Sequence, residues 1–136
     1  MLEWYNEKEF TLDGVQFLSS PGDYSQRTDT RRLVLLKDRD ILANYATVLA
    51  DSAYKTVLEF GIFQGGSPAL FALWLDVDKF VGIDISQPPP HFEAFCKHPA
   101  FKDRIRTHYG VTQTDADAVQ RIVAQEFQTR PLDLVI

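Results

Sequence analysis

The chain has 136 residues, and 14 Lys and Arg against 19 Asp and Glu give a formal net charge of −5 at pH 7. A hydrophobic content of 45% with 24% charged residues is typical of a folded globular domain and excludes a disordered chain. The acidic balance disfavours a nucleic-acid partner, and the single cysteine excludes an internal disulfide and a multi-cysteine metal cluster.

The N-terminal part of the chain is polar and rich in turn-forming residues. Asp13-Gly14 and Ser20-Pro21-Gly22 are typical turn sequences. We therefore expect residues 1–32 to form a loop-rich N-terminal arm, followed by one domain over residues 33–136.

Within that domain, strand-like and helix-like segments alternate. Short apolar runs predict strands at residues 56–60, 80–85, 104–109 and 132–136. Helical spacing and capping residues predict helices at 38–50, 67–75, around 92–96, and 114–127. Such alternation favours parallel βαβ units, so the predicted fold class is α/β: a Rossmann-like parallel sheet with helices on both faces.

Two of these helices carry sharper expectations. In the first, the spacing places Ile41, Tyr45, Val48 and Leu49 on one inward face. In the second, Ser67 is the predicted N-cap, with Pro68 at the first helical position, where its missing N–H costs nothing.

The last predicted strand, residues 132–136, is apolar in the manner of a strand covered on both faces. Because an unpaired apolar edge on a central strand is unfavourable, we expect the chain to be the N-terminal half of a longer domain. The alternative is a short protein that covers this edge by forming a homodimer.

The segment with the most chemical information reads Glu59-Phe-Gly-Ile-Phe-Gln-Gly-Gly-Ser67 and joins a strand to a helix. Gly61 permits a sharp turn, while Gly65 and Gly66 would let the backbone approach a ligand without a Cβ in the way. The next strand ends at Asp84, where a carboxylate can accept hydrogen bonds from both hydroxyls of a ribose. Both strand ends meet at the C-terminal edge of the sheet, where open α/β sheets bind ligands.

The segment departs from both phosphate-binding patterns. Phe63 replaces the second glycine of the dinucleotide fingerprint, and Ser67 stands where a P-loop requires lysine. A polyphosphate would also lie unfavourably beside Glu59. An acid at this position suits a phosphate-free nucleoside with a cationic group, and S-adenosylmethionine combines a ribose, a sulfonium and an ammonium.

Glu59 to Ser67, followed by Val81-Gly-Ile-Asp84, resembles motifs I and II of the class I S-adenosylmethionine-dependent methyltransferases. The pattern is similar to that of the small-molecule O-methyltransferases and of the cephalosporin-hydroxylase-like and macrocin-methyltransferase-like group. The resemblance covers residues 55–136, in which residues 131–136 match the motif IV strand. It implies methyl transfer from S-adenosylmethionine to a small-molecule acceptor, at oxygen.

The resemblance also implies residue roles. The methionine moiety would be held by Glu59 and the backbone around Gly61 to Gly65, the ribose by Asp84, and the adenine near Gly110 and Val111. The family often has an acid where this chain has Val111. The implied cofactor-binding residues are Glu59, Gly61, Phe63, Gly65, Gly66, Ser67, Asp84, Ile85, Gly110 and Val111.

Catalytic residues stay unassigned, because no residue of the chain is identified as the base. In metal-dependent relatives the carboxylate ligands begin just beyond the fourth strand, so the resemblance leaves a divalent metal as a second cofactor open. His91, His98 and His108 lack metal-ligand spacing, so no metal site is assigned. Two alternatives stay open: an NAD(P)-binding Rossmann oxidoreductase and a non-catalytic dimerising half-domain. Without a signal-like N-terminus or an apolar run near the ~20 residues of a membrane span, we expect a cytoplasmic protein with no membrane partner.

Overall fold

The computed structural model describes residues 1–50 and 53–136, which form two four-stranded sheets with helices packed against them. The strands are β1 (Glu3–Trp4), β2 (Glu9–Leu12), β3 (Val15–Ser19), β4 (Arg32–Leu35), β5 (Thr56–Phe60), β6 (Lys79–Asp84), β7 (Ile105–Tyr109) and β8 (Leu134–Val135). The α-helices are α1 (Arg39–Leu49), α2 (Gly66–Trp74), α3 (Phe92–Cys96) and α4 (Ala116–Phe127). A short 3₁₀ turn, Pro99–Phe101, follows α3.

The second sheet is parallel throughout and has the strand order β7-β6-β5-β8. This order is that of the first half of a doubly wound sheet, in which the chain moves outward in one direction and then crosses to the other side of its first strand. The predicted α/β fold with a parallel sheet is confirmed. The connection from β7 to β8 crosses to the other side of β5. The position at which the strand order reverses therefore lies between the neighbouring strands β5 and β8.

Helices cover both faces of the parallel sheet. On one face, α2 packs against β6 and β7. On the other, Ile122 and Phe127 of α4 pack against Leu58, Val81 and Ile83. No helix in the two described ranges combines the length and apolar character needed to cross a lipid bilayer.

The expectation of a loop-rich arm over residues 1–32 is wrong, because this segment contributes most of a mixed sheet. Strands β1, β2 and β3 form an antiparallel meander, and β4 joins β3 in parallel. Asp13 and Gly14 both have positive φ and form a two-residue turn between β2 and β3, as in tight hairpins. These strands are only two to five residues long. A segment this short shows too few alternating polar and apolar residues to be told apart from a loop in the sequence.

This N-terminal sheet shares its core with the rest of the chain. Phe10 and Phe17 stack with ring centroids 5.1 Å apart and belong to the same buried cluster as Phe71 of α2. Helix α2 therefore lies between the two sheets, and its residues 66–73 are all buried. The uniformly apolar composition of α2 follows from this position.

The predicted inward face of α1 is partly wrong. Leu42 and Leu49 are buried, whereas Ile41 is 41% and Val48 is 72% exposed. Two sets of apolar residues in α1 have helical spacing, one beginning at Ile41 and the other at Leu42. In the structure the set that begins at Leu42 packs against the core. The helix begins after Asp38, whose carboxylate accepts a hydrogen bond from the Ile41 N–H at 2.8 Å.

The choice between these two stripes can be tested by truncation. Because Leu42 is fully buried and Val48 is largely exposed, Leu42→Ala should lower the free energy of unfolding by about 2–5 kcal/mol. The matched variant Val48→Ala should change it by less than about 0.5 kcal/mol. Urea denaturation measures both, and a larger loss for Val48→Ala would contradict this helix orientation.

Candidate functional site

A cleft of about 280 Å³ lies at the C-terminal edge of the parallel sheet. It brings together four of the predicted site residues, Gly61, Asp84, Ile85 and Val111. The ends of β5 and β6 and the loop after β7 form it, and its full lining is Phe60, Gly61, Ile83, Asp84, Ile85, Val111, Thr112, Gln113 and Thr114.

The walls of this cleft combine an open backbone turn with apolar side chains. Gly61 has φ of +81°, and a Cβ there would meet nothing within 4 Å, so the turn leaves space on the cleft side. Ile85 is 71% exposed beside it, directly after β6. An exposed isoleucine next to an open glycine turn offers an apolar surface to a flat ligand.

Asp84 is buried and all of its acceptor capacity is used within the chain. Its Oδ2 accepts from the N–H groups of Ile62 at 2.8 Å and Phe63 at 3.0 Å. Its Oδ1 accepts from Ser86 N–H at 2.8 Å and Ser86 Oγ at 2.6 Å. A ribose hydroxyl must therefore replace one of these donors, and the Ser86 hydroxyl is the one that can rotate away without moving the backbone.

These hydrogen bonds also fix the charge on Asp84. Burial alone would raise its pKa, but the four donors from Ser86, Phe63 and Ile62 together hold the pKa below its ordinary value. Asp84 is thus ionised at neutral pH. Its carboxylate ties the end of β6 to the turn that follows β5.

Gly65 and Gly66 are explained by packing of the chain on itself. A Cβ at Gly65 would lie 2.2 Å from the Phe92 ring, and one at Gly66 would lie 2.3 Å from the carbonyl oxygen of Val34. Phe92 and Val34 therefore fill the space that a side chain at these positions would take, which explains both glycines by packing. The approach of a ligand to their backbone stays a prediction. Gly61 is the glycine of this segment that faces open space.

Glu59, Ser67 and Lys37 form a buried polar cluster beside the turn that joins β5 to α2. The Ser67 hydroxyl donates to Glu59 Oε1 at 2.5 Å and accepts from the Lys37 ammonium at 2.9 Å. The Lys37 nitrogen lies 3.6 Å from the same Glu59 oxygen. Ser67 is therefore the link of this cluster and not the predicted N-cap, since α2 begins after Gly65, which has φ of +86°.

Glu59 is only 2% exposed, and its environment makes its charge costly. Burial raises its pKa from 4.5 to about 7, against the opposing effects of Lys37 and Ser67. Its Oε2 is buried and has no hydrogen-bond partner among the described residues. A carboxylate oxygen in this condition is a place where a further donor would be stabilising.

Phe63 and Gly110 lie beside the cleft and do not line it. Phe63 has φ of +48° and packs edge-to-face on Tyr24 with ring centroids 5.8 Å apart. The Gly110 N–H donates to Ser86 O at 3.2 Å, and the Val111 N–H donates to Asp84 O at 3.1 Å. These bonds hold the loop after β7 against the end of β6.

Three residues of the site were missed from the sequence. Lys37 precedes α1, far from the glycine segment, and no local pattern connects it to Glu59. Phe92 reads as an ordinary core residue. Ser86 had a usable signal, because a serine two residues after an aspartate often donates to that carboxylate.

The histidines do not converge on a metal centre. Within residues 1–50 and 53–136, no group of three His, Cys, Asp or Glu side chains could hold a metal ion. His108 Nε2 instead lies 2.9 Å from Glu126 Oε1, between β7 and α4. His98 Nδ1 accepts from the Ala100 N–H at 3.2 Å at the 3₁₀ turn.

No protein-family model matches the chain, and comparisons with curated proteins and with solved structures give no significant match. What the chain binds must therefore be judged from its own residues. Those are the cleft at the sheet edge and the buried cluster beneath its turn.

The charge of Glu59 should be visible in the pH dependence of stability. Because its folded-state pKa of about 7 exceeds its ordinary value of 4.5, the folded chain binds this proton more tightly than the unfolded chain does. Protonation of Glu59 therefore makes its largest contribution to the free energy of unfolding below about pH 4.5, and this contribution is lost as the pH rises through 7. Relative to Glu59→Gln, the wild type should lose up to about 3 kcal/mol across this window.

Urea denaturation of both proteins at a series of pH values measures this difference. Titrating groups that do not interact with Glu59 are common to the two chains and cancel in the comparison. Parallel profiles from pH 5 to about pH 8 would contradict a raised pKa at Glu59.

The packing role of Gly66 predicts a further effect on stability. Gly66→Ala places a methyl group against the Val34 carbonyl, so the free energy of unfolding should fall by about 1–3 kcal/mol, although alanine favours helices. Gln120→Ala, on the exposed surface of α4, is the control and should change it by less than about 0.5 kcal/mol. If Gly66→Ala left the free energy of unfolding unchanged, α2 would not pack as closely against the Val34 carbonyl as the structure shows.

Proposed function

We propose that the chain binds S-adenosylmethionine at the C-terminal edge of its parallel sheet, as the cofactor-binding part of a small-molecule O-methyltransferase. The observation that carries this proposal is the convergence of Gly61, Asp84, Ile85 and Val111 on one cleft. In parallel α/β sheets, ligands bind at this edge. A ribose would lie beside Asp84 and an adenine between Ile85 and Val111.

The residues present fit the methionine part of the cofactor at one further point. Glu59 Oε2 is a buried oxygen without a donor among the described residues, and an ammonium group would supply one. Along the chain, Glu59 precedes Gly61 of the cleft lining by two residues. Bound here, the cofactor would supply an electrophilic methyl group on a sulfonium.

The role of this chain in such a reaction would be to bind and orient. Methyl transfer is an in-line displacement, so its rate depends on holding donor and acceptor at close approach. Asp84, fixed by the turn, would set the position of the ribose, and Glu59 would set the far end of the cofactor. The acceptor oxygen would also need a base to remove its proton.

The arrangement around Asp84 predicts opposite results for two neighbouring substitutions. Asp84→Asn removes the charge that would accept the ribose hydroxyls, and it should weaken adenosylhomocysteine binding about 10- to 100-fold, or about 1–3 kcal/mol. Ser86→Ala removes the hydroxyl that competes for Oδ1, so binding should be unchanged or tighter. Isothermal titration calorimetry measures both.

Two controls accompany this titration. Asp78→Asn changes an exposed carboxylate paired with Arg130 before β6 and should leave binding unchanged. Titration of the wild type with NAD tests the oxidoreductase alternative. Saturable NAD binding without adenosylhomocysteine binding would overturn the proposal, and binding of neither ligand by a dimeric chain would favour the non-catalytic alternative.

A further inference from the structure

Strand β7 forms one edge of the parallel sheet, and among the described residues it pairs with β6 alone. The Phe80 N–H donates to Arg104 O at 2.9 Å. Because successive residues of a strand turn their backbone groups to opposite sides, Arg106 and His108 face β6 as Arg104 does, and the N–H and C=O of Thr107 face away from the sheet. Such an edge is a template for another extended chain.

A groove of about 390 Å³ lies between this edge and α3. Its apolar lining includes Phe92 and Cys96 of α3 and Ile105 of β7, while Thr107 and Tyr109 line it from the same strand. The side chains of an extended chain alternate between the two faces of a sheet. A strand added beside β7 would therefore direct every second side chain towards this groove.

The edge is basic, although the whole chain has a net charge of −5. Residues 97–108 contain Lys97, Lys102, Arg104 and Arg106 against a single acid, Asp103. A local excess of positive charge on an acidic protein favours an acidic partner at this edge.

Arg106 is the residue of the groove lining that carries this charge. Its guanidinium donates to the carbonyl oxygens of Asp103 at 2.7 Å and Ile105 at 3.3 Å. The ion pairs among the described residues do not include it. Glu93, on the α3 side of the groove, is paired with Lys97 at 3.7 Å, so the acid of the lining has a partner.

We propose that the edge of β7 and the groove beside it bind an extended acidic segment of a partner protein, which adds a fifth strand to the four-stranded parallel sheet. Its backbone would pair with the outward groups of Thr107, its apolar side chains would occupy the groove, and its acidic side chains would lie on the side of Arg106. In this mode of recognition, main-chain hydrogen bonds supply affinity and side-chain pockets supply specificity. The groove shares no lining residue with the cleft at the sheet's C-terminal edge, so this inference is independent of the proposed function.

A second copy of the chain is a poorer occupant for this edge. Pairing of β7 with its own copy would bring two basic edges together, and like charges placed opposite each other in a sheet are destabilising.

The probe is a labelled heptapeptide of alternating leucine and glutamate with blocked ends, measured by fluorescence anisotropy at pH 7. It should bind saturably, and Arg106→Glu should weaken its binding about 10- to 100-fold through charge repulsion. Arg121→Glu makes the same charge change at an exposed position of α4 and should leave the affinity within about twofold. An unchanged affinity in Arg106→Glu would overturn the assignment of an acidic partner.

Methylation of the peptide backbone tests strand pairing without altering the protein. Two further peptides carry N-methyl groups either on the leucines or on the glutamates. Since only one of these sets faces β7 in a paired strand, one peptide should bind about 10-fold more weakly and the other as the parent does. Equal affinity of all three peptides would overturn strand addition.

Thr107→Pro removes the outward N–H of β7 and leaves the bonds to β6 in place, so it should weaken binding as strongly as the methylation does. Thermal unfolding shows whether this variant is folded, and the methylated peptides decide the question if it is not. No binding of the unmodified peptide by the folded wild type would overturn the proposal. A wild-type dimer that Thr107→Pro converts into a folded monomer would show that a second copy covers the edge, and the proposed partner would be wrong.

Discussion

Enclosure of helix α2 between two sheets is the constraint on which the rest of this structure depends. A helix covered on nearly all sides needs apolar residues all round and small residues where it meets another backbone. Gly66 meets the Val34 carbonyl, and Gly65 meets the Phe92 ring. The same enclosure removes Glu59 and Ser67 from solvent, and burial is the main reason that the pKa of Glu59 is near neutrality.

Two carboxylates at neighbouring strand ends thus have different roles. Asp84 is fully hydrogen-bonded and ionised, and it fixes the turn between β5 and α2. Glu59 is less completely bonded, and its charge depends on Lys37. Asp84 has all four of its hydrogen bonds within the chain, whereas Glu59 Oε2 has no partner among the described residues, although the two acids occupy strand ends that look alike in sequence.

The parallel sheet could be predicted because its information is local. Each strand is a short apolar run, and each connection contains a helix signal, so the alternation of strands β5 to β8 with helices follows from spacing. Their order across the sheet, β7-β6-β5-β8, was not predicted. The convergence of Asp84 and Gly61 also follows, since the carboxyl ends of neighbouring parallel strands share one edge. The N-terminal sheet could not be found this way, because its strands are short and one pair, β3 with β4, forms across a twelve-residue connection.

The buried cluster and the packed glycines were missed for a related reason. Glycine permits both the approach of a ligand and the approach of another part of the chain, and only the tertiary structure shows Phe92 and Val34 beside these two. Lys37 meets Glu59 because α1 and β4 are placed beside α2 by the core. Contacts of this kind depend on tertiary structure and leave no periodic pattern.

The position of α2 has a consequence for synthesis on the ribosome. The N-terminal sheet emerges first, and the apolar face formed by Phe10, Phe17 and Leu33 stays uncovered until α2 has also left the exit tunnel. At typical elongation rates the intervening residues take about 2–8 s to add. During that interval these apolar side chains are exposed to solvent on the nascent chain.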